Sequence, residues 1–339
     1  LSVIIAGTAL AGGRHLLGGI FGKVEQDVMD NAQTYFWITA LSYPFIGLYN
    51  ACAALFRSMG NSKVSMMTSF VMNMINIIGN AICVFGLKMG VAGVAWPTLI
   101  SRVTAAFMMF VLIQNRNNTI RLNSWKFLIP DRHMIKNILS IGIPMGLQFS
   151  ITAIGTIIVQ GAVNVFGSVY IAGFSAAGKI QNIVSTVFVA FGATAATYVG
   201  QNRGAGRMER VHQGVKSIQV MILVWSAVMI LVIHLFGDML IHIFIDASET
   251  EVMSAARTYF RAVAWCYPFL GSIFLYRNAL QGLGYGLMPM MGGVFELIAR
   301  AAIVAAVAGS FGYVGVCLAD PAAWLAALVP IVPYYFYKI

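Results

Sequence analysis

Charge is what this chain has least of. Asp, Glu, Lys and Arg together make 9% of its 339 residues, where a soluble chain of this length needs about 25% to cover its surface. Mean hydropathy is +0.82, which excludes a water-soluble globule. The four cysteines, Cys52, Cys83, Cys266 and Cys317, lie inside apolar segments at unrelated spacings. With no CxxC pair and no Cys/His cluster, neither a disulfide framework nor a zinc site is indicated. No P-loop occurs, so nothing points to ATP as an energy source. Buried acids are too few and too far apart in sequence to converge with His, Ser or Lys on a catalytic centre, so the chain does not read as an enzyme, and no cofactor is expected. Leu1 is not a methionine and no charged segment precedes the first apolar run, which reads neither as a signal peptide nor as a natural start. The chain is expected to be cut at its N-terminus.

Long apolar runs are what is present. Ile218–Phe236 contains one titratable side chain, His234, and about 20 such residues cross the hydrocarbon of a bilayer. Apolar runs and their polar interruptions predict ten spans, at about 1–20, 35–56, 66–87, 91–113, 138–165, 169–199, 217–237, 258–280, 289–308 and 312–337. Pro44, Pro144 and Pro268 fall inside spans, where neighbouring helices can satisfy the carbonyls they free.

The net charge of +10 does not indicate nucleic acid, because the cations are gathered in short loops. Alternate loops and the C-terminal tail hold Arg57, Lys63, Arg116, Arg121, Lys126, Arg132, Lys136, Arg203, Arg207, Arg210, Lys216 and Lys338. The opposite set holds Lys23, Lys88 and Arg257 with the acids Glu25, Asp27, Asp30, Asp238, Asp246, Glu249 and Glu251. By the positive-inside rule, the basic loops and the C-terminus face the cytoplasm of a plasma-membrane protein.

The chain also repeats. Tyr35-Phe36, Tyr43-Pro44-Phe45 and Gly47 recur as Tyr259-Phe260, Tyr267-Pro268-Phe269 and Gly271 at an offset of 224. Gly60 then meets Gly284, and after a two-residue slip Gly90-Val91-Ala92-Gly93-Val94 meets Gly312-Tyr313-Val314-Gly315-Val316. Spans 1–4 thus correspond to spans 7–10, which implies two six-helix halves, the first lacking two helices (roughly ninety residues) here. An even helix number per half makes the repeats parallel, a transporter arrangement with substrate near the midplane. The expected division is an N-lobe at 1–113, a cytoplasmic linker at 114–137 and a C-lobe at 138–339.

Several stretches resemble the multidrug and toxic compound extrusion (MATE) family. They are Ala54-Leu55-Phe56-Arg57-Ser58-Met59-Gly60-Asn61-Ser62-Lys63, Gly90 to Ala95, Gly142-Ile143-Pro144, Val199-Gly200-Gln201-Asn202-Arg203-Gly204-Ala205-Gly206 and Ala279-Leu280-Gln281-Gly282-Leu283-Gly284. Each is weak alone; their joint order and the repeat make the likeness specific, and it is greatest to the DinF-like branch. The resemblance implies an all-α membrane protein of two six-helix lobes around a V-shaped cleft. It further implies a monomeric inner-membrane antiporter exporting organic cations for H⁺ or Na⁺. The superfamily also contains lipid-linked precursor flippases, whose cavities need several cations; Arg14, Arg102, Lys179, Arg277 and Arg300 lie on five separate spans.

Ionisable groups inside spans cost about 2.5–3.5 kcal/mol each on insertion scales and are candidates for function. Glu296 and Arg300, four apart, can pair along a helix, either as packing or as a coupling-ion or substrate site. Asp320, before Pro321, either faces the cleft or caps a helix break. Lys179 shares a face with Asn182 and Thr186, and Glu296 is a possible partner. Gln148, Thr152, Thr156, Gln160 and Asn164 form an i, i+4 ridge suited to interhelical bonds or to a wet cavity. Asn73, Asn76 and Asn80 cluster in the third span. DinF-like sequences carry a coupling carboxylate where Asn80 stands, which puts proton coupling there in doubt. Tyr43 and Tyr267, each before a proline, mark possible kinks beside the cleft.

Overall fold

A computed structural model describes residues 1–21, 25–114, 129–246 and 248–339, side chains 19–21 and 307–309 excepted. It divides into two compact units, Leu1–Ile129 and Pro130–Ile339. Most of the expected linker, with Arg116, Arg121 and Lys126, lies outside the described residues, as does Lys23.

The first unit contains α1 (Ser2–Phe21), α2 (Gln26–Leu41), α3 (Tyr43–Ser58), α4 (Ser62–Ala81) and α5 (Ala92–Ile113). The second contains α6 (Arg132–Asn164), α7 (Ser168–Gly204), α8 (Met208–His242), α9 (Thr250–Val263), α10 (Tyr267–Gly282), α11 (Leu287–Cys317) and α12 (Ala319–Lys338). No strand occurs among the described residues. Among the described residues, six helices are long and apolar enough to cross a membrane, and eight if the bent pairs α2–α3 and Ser310–Cys317 with α12 each count as one. Of the other two expected spans, 1–20 is the helix α1, and 258–280 is helical but more polar, α9 and α10 carrying Glu251, Arg257, Arg261 and Arg277.

Three expected spans are not straight. The second breaks at Ser42, with a 43° bend between α2 and α3. The eighth breaks over a 3₁₀ turn at Ala264–Cys266. Pro44 and Pro268 therefore do not interrupt helices; each sits in the first turn of a new one, where its missing N–H has no intrahelical partner to lose. The last expected span is divided too: α11 is kinked at Gly312 (φ 57°, ψ −139°), and α12 leaves the Ser310–Cys317 segment beyond the kink at 56°.

The repeat is visible in backbone detail. α3 and α10 have the same length and begin 224 residues apart. Both end in one cap: Asn61 N–H donates to Phe56 O and Tyr285 N–H to Leu280 O, each at 2.9 Å. Between donor and acceptor, Gly60 and Gly284 have φ of 79° and 82°, a left-handed conformation that costs a side-chain-bearing residue about 1–2 kcal/mol. α7 closes in the same way through Gly206, with Arg207 N–H donating to Asn202 O at 2.8 Å.

Large apolar side chains such as Phe70, Phe107, Ile157 and Met239 point outward, as a lipid-facing surface requires. With lipid outside, helices associate through close packing rather than through water exclusion, and small residues permit the approach. On α10, a Cβ at Gly271 would lie 2.3 Å from Ile222 of α8 and 2.8 Å from Phe188 of α7, and one at Gly282 would lie 2.6 Å from Ala196 O. Gly161 on α6 has open space around it. Gly271→Ala should therefore lower the melting temperature of the detergent-solubilised protein, by an amount equivalent to about 1–3 kcal/mol of overpacking. Gly161→Ala should leave it unchanged or raise it.

Candidate functional site

The second unit gathers its buried charges into one chain. Glu296 on α11 accepts from Arg277 on α10 at Oε1 and from Arg300, one turn along, at Oε2 (3.2 Å). Arg300 also donates through Nε to Asp320 Oδ1 on α12 at 3.0 Å. Tyr259 on α9 donates to Asp320 Oδ2 at 3.3 Å and to Gln181 Oε1 on α7. Five helices are tied together by four charges that sum to zero. Glu296, Arg300 and Arg277 are 4%, 5% and 7% exposed; the Asp320 side chain is more open at 16%.

Helix geometry explains the arrangement. The i, i+4 spacing places Glu296 and Arg300 on one face of α11, which packs against α6 and α12. Gly155 on α6 makes room, since a Cβ there would come within 3.1 Å of Arg300 Nη1. The bend before α12 puts Asp320 in that helix's first turn. It makes no side-chain cap there, so the expectation of local capping is replaced by a bond to another helix.

The network lines a cavity of about 430 Å³ between α6, α7, α9, α10, α11 and α12. Lys179, Asn182, Thr152, Thr156 and Gln160 border the same space. Lys179 is not bonded to Glu296, whose two oxygens are already occupied; its Nζ lies 5.2 Å from the centroid of the Phe244 ring.

The polar ridge of α6 divides. Gln148 is buried and accepts weakly from Gln281 of α10, at 3.4 Å. Thr152, Thr156 and Gln160 face the cavity, and Gln160 donates to Asn164 at 3.0 Å. Tyr267 is fully buried among apolar side chains and does not border the cavity.

In the first unit, Asn80 donates to Asn76 Oδ1 at 3.2 Å, and Asn76 donates to Thr98 Oγ1 on α5 at 3.0 Å. Asn73 is exposed and stands apart from this chain. In the repeat, Asn76 corresponds to Arg300 by the offset of 224 and Thr98 to Asp320 by the offset of 222. One contact is therefore made twice, as an ion pair in one unit and as a neutral hydrogen bond in the other.

Sequence reasoning left Arg277 among scattered cations, Tyr259 as a repeat marker, and Gln181 and Gly155 unmentioned. The signal available was the lack of a second partner for Glu296. A carboxylate buried in a membrane beside a single Arg has spare acceptor capacity, which another buried cation can fill.

A family model described as MatE matches residues 1–82 and 144–306. The chain belongs to the MATE family. Its members are membrane transporters, not enzymes. Among relatives, the chain is 23% identical over 319 residues to the probable multidrug resistance protein YoeA of Bacillus subtilis, covering 91% of this chain and 68% of that protein. It is 25% identical over 263 residues to the probable multidrug resistance protein YpnP of the same organism, covering 77% and 58%. An outward-facing multidrug resistance MATE family transporter of the MOP superfamily has the same fold, with TM-score 0.90 at 18% identity over all of this chain and 75% of that one. These values place the chain in a family and a fold.

The charge chain makes a testable demand. Removing one member strands its partner in a medium that cannot solvate it, at about 3–5 kcal/mol, while removing an opposite pair together costs far less. Glu296→Gln should lower the melting temperature sharply. Arg277→Met added to Glu296→Gln should recover part of the loss, giving a favourable coupling energy in the double-mutant cycle.

Proposed function

We propose that this MATE transporter exports small amphipathic drugs, organic cations among them, in exchange for H⁺ or Na⁺ by alternating access. The reading takes it to act as a monomer in the plasma membrane, with the basic loops and C-terminus in the cytoplasm. The observation that carries it is the cavity in the second unit walled by Asp320, Arg300, Glu296 and Tyr259. The multidrug resistance names of the two Bacillus subtilis relatives support the substrate class.

Within the network the two acids suit different work. Glu296 is held by two guanidinium groups in the interior, and protonating it would leave Arg277 without its counter-charge, Arg300 keeping Asp320. We assign it to holding α10 and α11 together. Asp320 has one guanidinium partner, a phenol on its other oxygen, and a more open side chain. A proton could replace the Arg300 bond at Asp320, or Na⁺ could take oxygens from Asp320, Tyr259 and Gln181. Either would loosen α12 from α11, a local change of the kind a switching transporter needs. Asn76 and Thr98, at the repeat-equivalent positions, carry no titratable group and suit interhelical packing.

The lipid-linked precursor reading is less well supported. Lys179, Arg277 and Arg300 do border one cavity, but two of the three are paired with acids. Among the described residues, Lys179 alone of the three is without an acid partner, and one such cation is too few for a pyrophosphate.

Ethidium efflux from everted vesicles carrying the naturally encoded protein, with proton and sodium gradients imposed separately, tests the proposal. Export should follow one gradient and name the coupling ion. Asp320→Asn should still bind ethidium but lose at least tenfold in gradient-driven export. Absence of export under both gradients, from protein shown to be folded, would remove the drug-export reading.

A further inference from the structure

We propose that the cavity of the second unit binds a single carboxylate on the transported molecule, with Lys179 as its counter-charge. The inference deepens the drug-export reading and rests on it. It follows from counting which hydrogen-bonding groups around the cavity are already used.

Each charged acceptor already has a donor at both of its oxygens. Glu296 accepts at Oε1 from Arg277 and at Oε2 from Arg300. Asp320 accepts at Oδ1 from Arg300 and at Oδ2 from Tyr259. The amide oxygen of Gln181 accepts from the same tyrosine. A cationic ligand would have to share a carboxylate oxygen that a guanidinium or the Tyr259 phenol already holds, beside a like charge.

The donors are not all used. Arg277 Nε is buried with no protein partner among the described residues, although the residue borders the cavity. Thr152 Oγ1, on the facing side of α6, is buried and equally unpartnered. Lys179 meets the π face of Phe244 and pairs with no acid among the described residues. Three cations and two carboxylates leave one positive charge in excess on the wall. A buried donor without an acceptor carries a desolvation cost that a ligand oxygen would relieve.

Charge and hydrogen-bonding capacity thus point the same way, to one negative charge with two acceptor oxygens. Phe174, Leu270, Ile273, Phe274 and Trp324 supply apolar wall for an aromatic body. A dianion would overcompensate the single free cation, so a carboxylate fits better than a phosphate monoester.

The test uses two dyes that share one delocalised cation, rhodamine B with its free carboxylate and rhodamine B ethyl ester without it. Binding to the detergent-solubilised protein is measured by fluorescence anisotropy. The free carboxylate should bind about tenfold more tightly than the ester, the gain of one charge-assisted contact. Lys179→Met should abolish that preference while leaving ester affinity within twofold, and Lys179→Arg should retain it. Lys179 is exposed, so neither variant strands a buried partner. Equal affinity for the two dyes, preference for the ester, no binding of either, or a preference that survives Lys179→Met would overturn the proposal. Ester binding and ethidium export judge the drug-export reading separately, so the two can fail independently.

Discussion

A carboxylate buried between two guanidinium groups is the constraint on which the second unit depends. Glu296 cannot be solvated where it stands, and neither can Arg277 or Arg300. Their mutual neutralisation sets how α10 and α11 lie against each other, and through Arg300 it sets where α12 begins. Such an arrangement adds little net stability compared with well-packed apolar residues, but its failure is costly. It therefore fixes geometry more than it adds strength. The cavity walls inherit their positions from it, which is why a space bordered by five charges can remain defined inside an apolar protein.

The repeat shows that the charge is not required by the fold. Asn76 and Thr98 occupy the positions of Arg300 and Asp320 and make a shorter-reaching, neutral contact of similar geometry. Met72 stands where Glu296 would be, so the first unit has no acid at that position. The two copies share backbone devices, including the helix break before each proline and the left-handed glycine after each following helix. They differ where chemistry can be placed. A duplicated scaffold allows one copy to keep inexpensive amide and hydroxyl contacts while the other carries groups that can change protonation or partner.

How much of this was legible in the sequence differs between levels. The helical membrane class followed from low charge and long apolar runs, and the repeat from Tyr-Pro-Phe and glycine spacing. The Glu296–Arg300 pair was readable because i, i+4 is a local rule. What could not be read was everything set by approach between helices. Arg277 joins Glu296 across nineteen positions and Tyr259 joins Asp320 across sixty-one, and no local spacing carries those pairings. Lys179 was assigned a partner by proximity of type, an acid for a base, when Glu296 was already saturated. The proline breaks were misplaced for a different reason. Hydropathy averages over a span and cannot distinguish one kinked helix from two helices meeting at a serine or a 3₁₀ turn.

The glycine caps after α3, α7 and α10 each close on a main-chain hydrogen bond across a left-handed glycine. The reversal itself is made by backbone, and neighbouring side chains such as Ser58, Asn202 and Arg203 add contacts around it. Around those turns stand Arg57, Lys63, Arg203, Arg207 and Arg210. A connection whose reversal rests on a glycine leaves room beside it for a cluster of basic residues. Topogenic information and folding information can then share one short loop without competing for the same atoms.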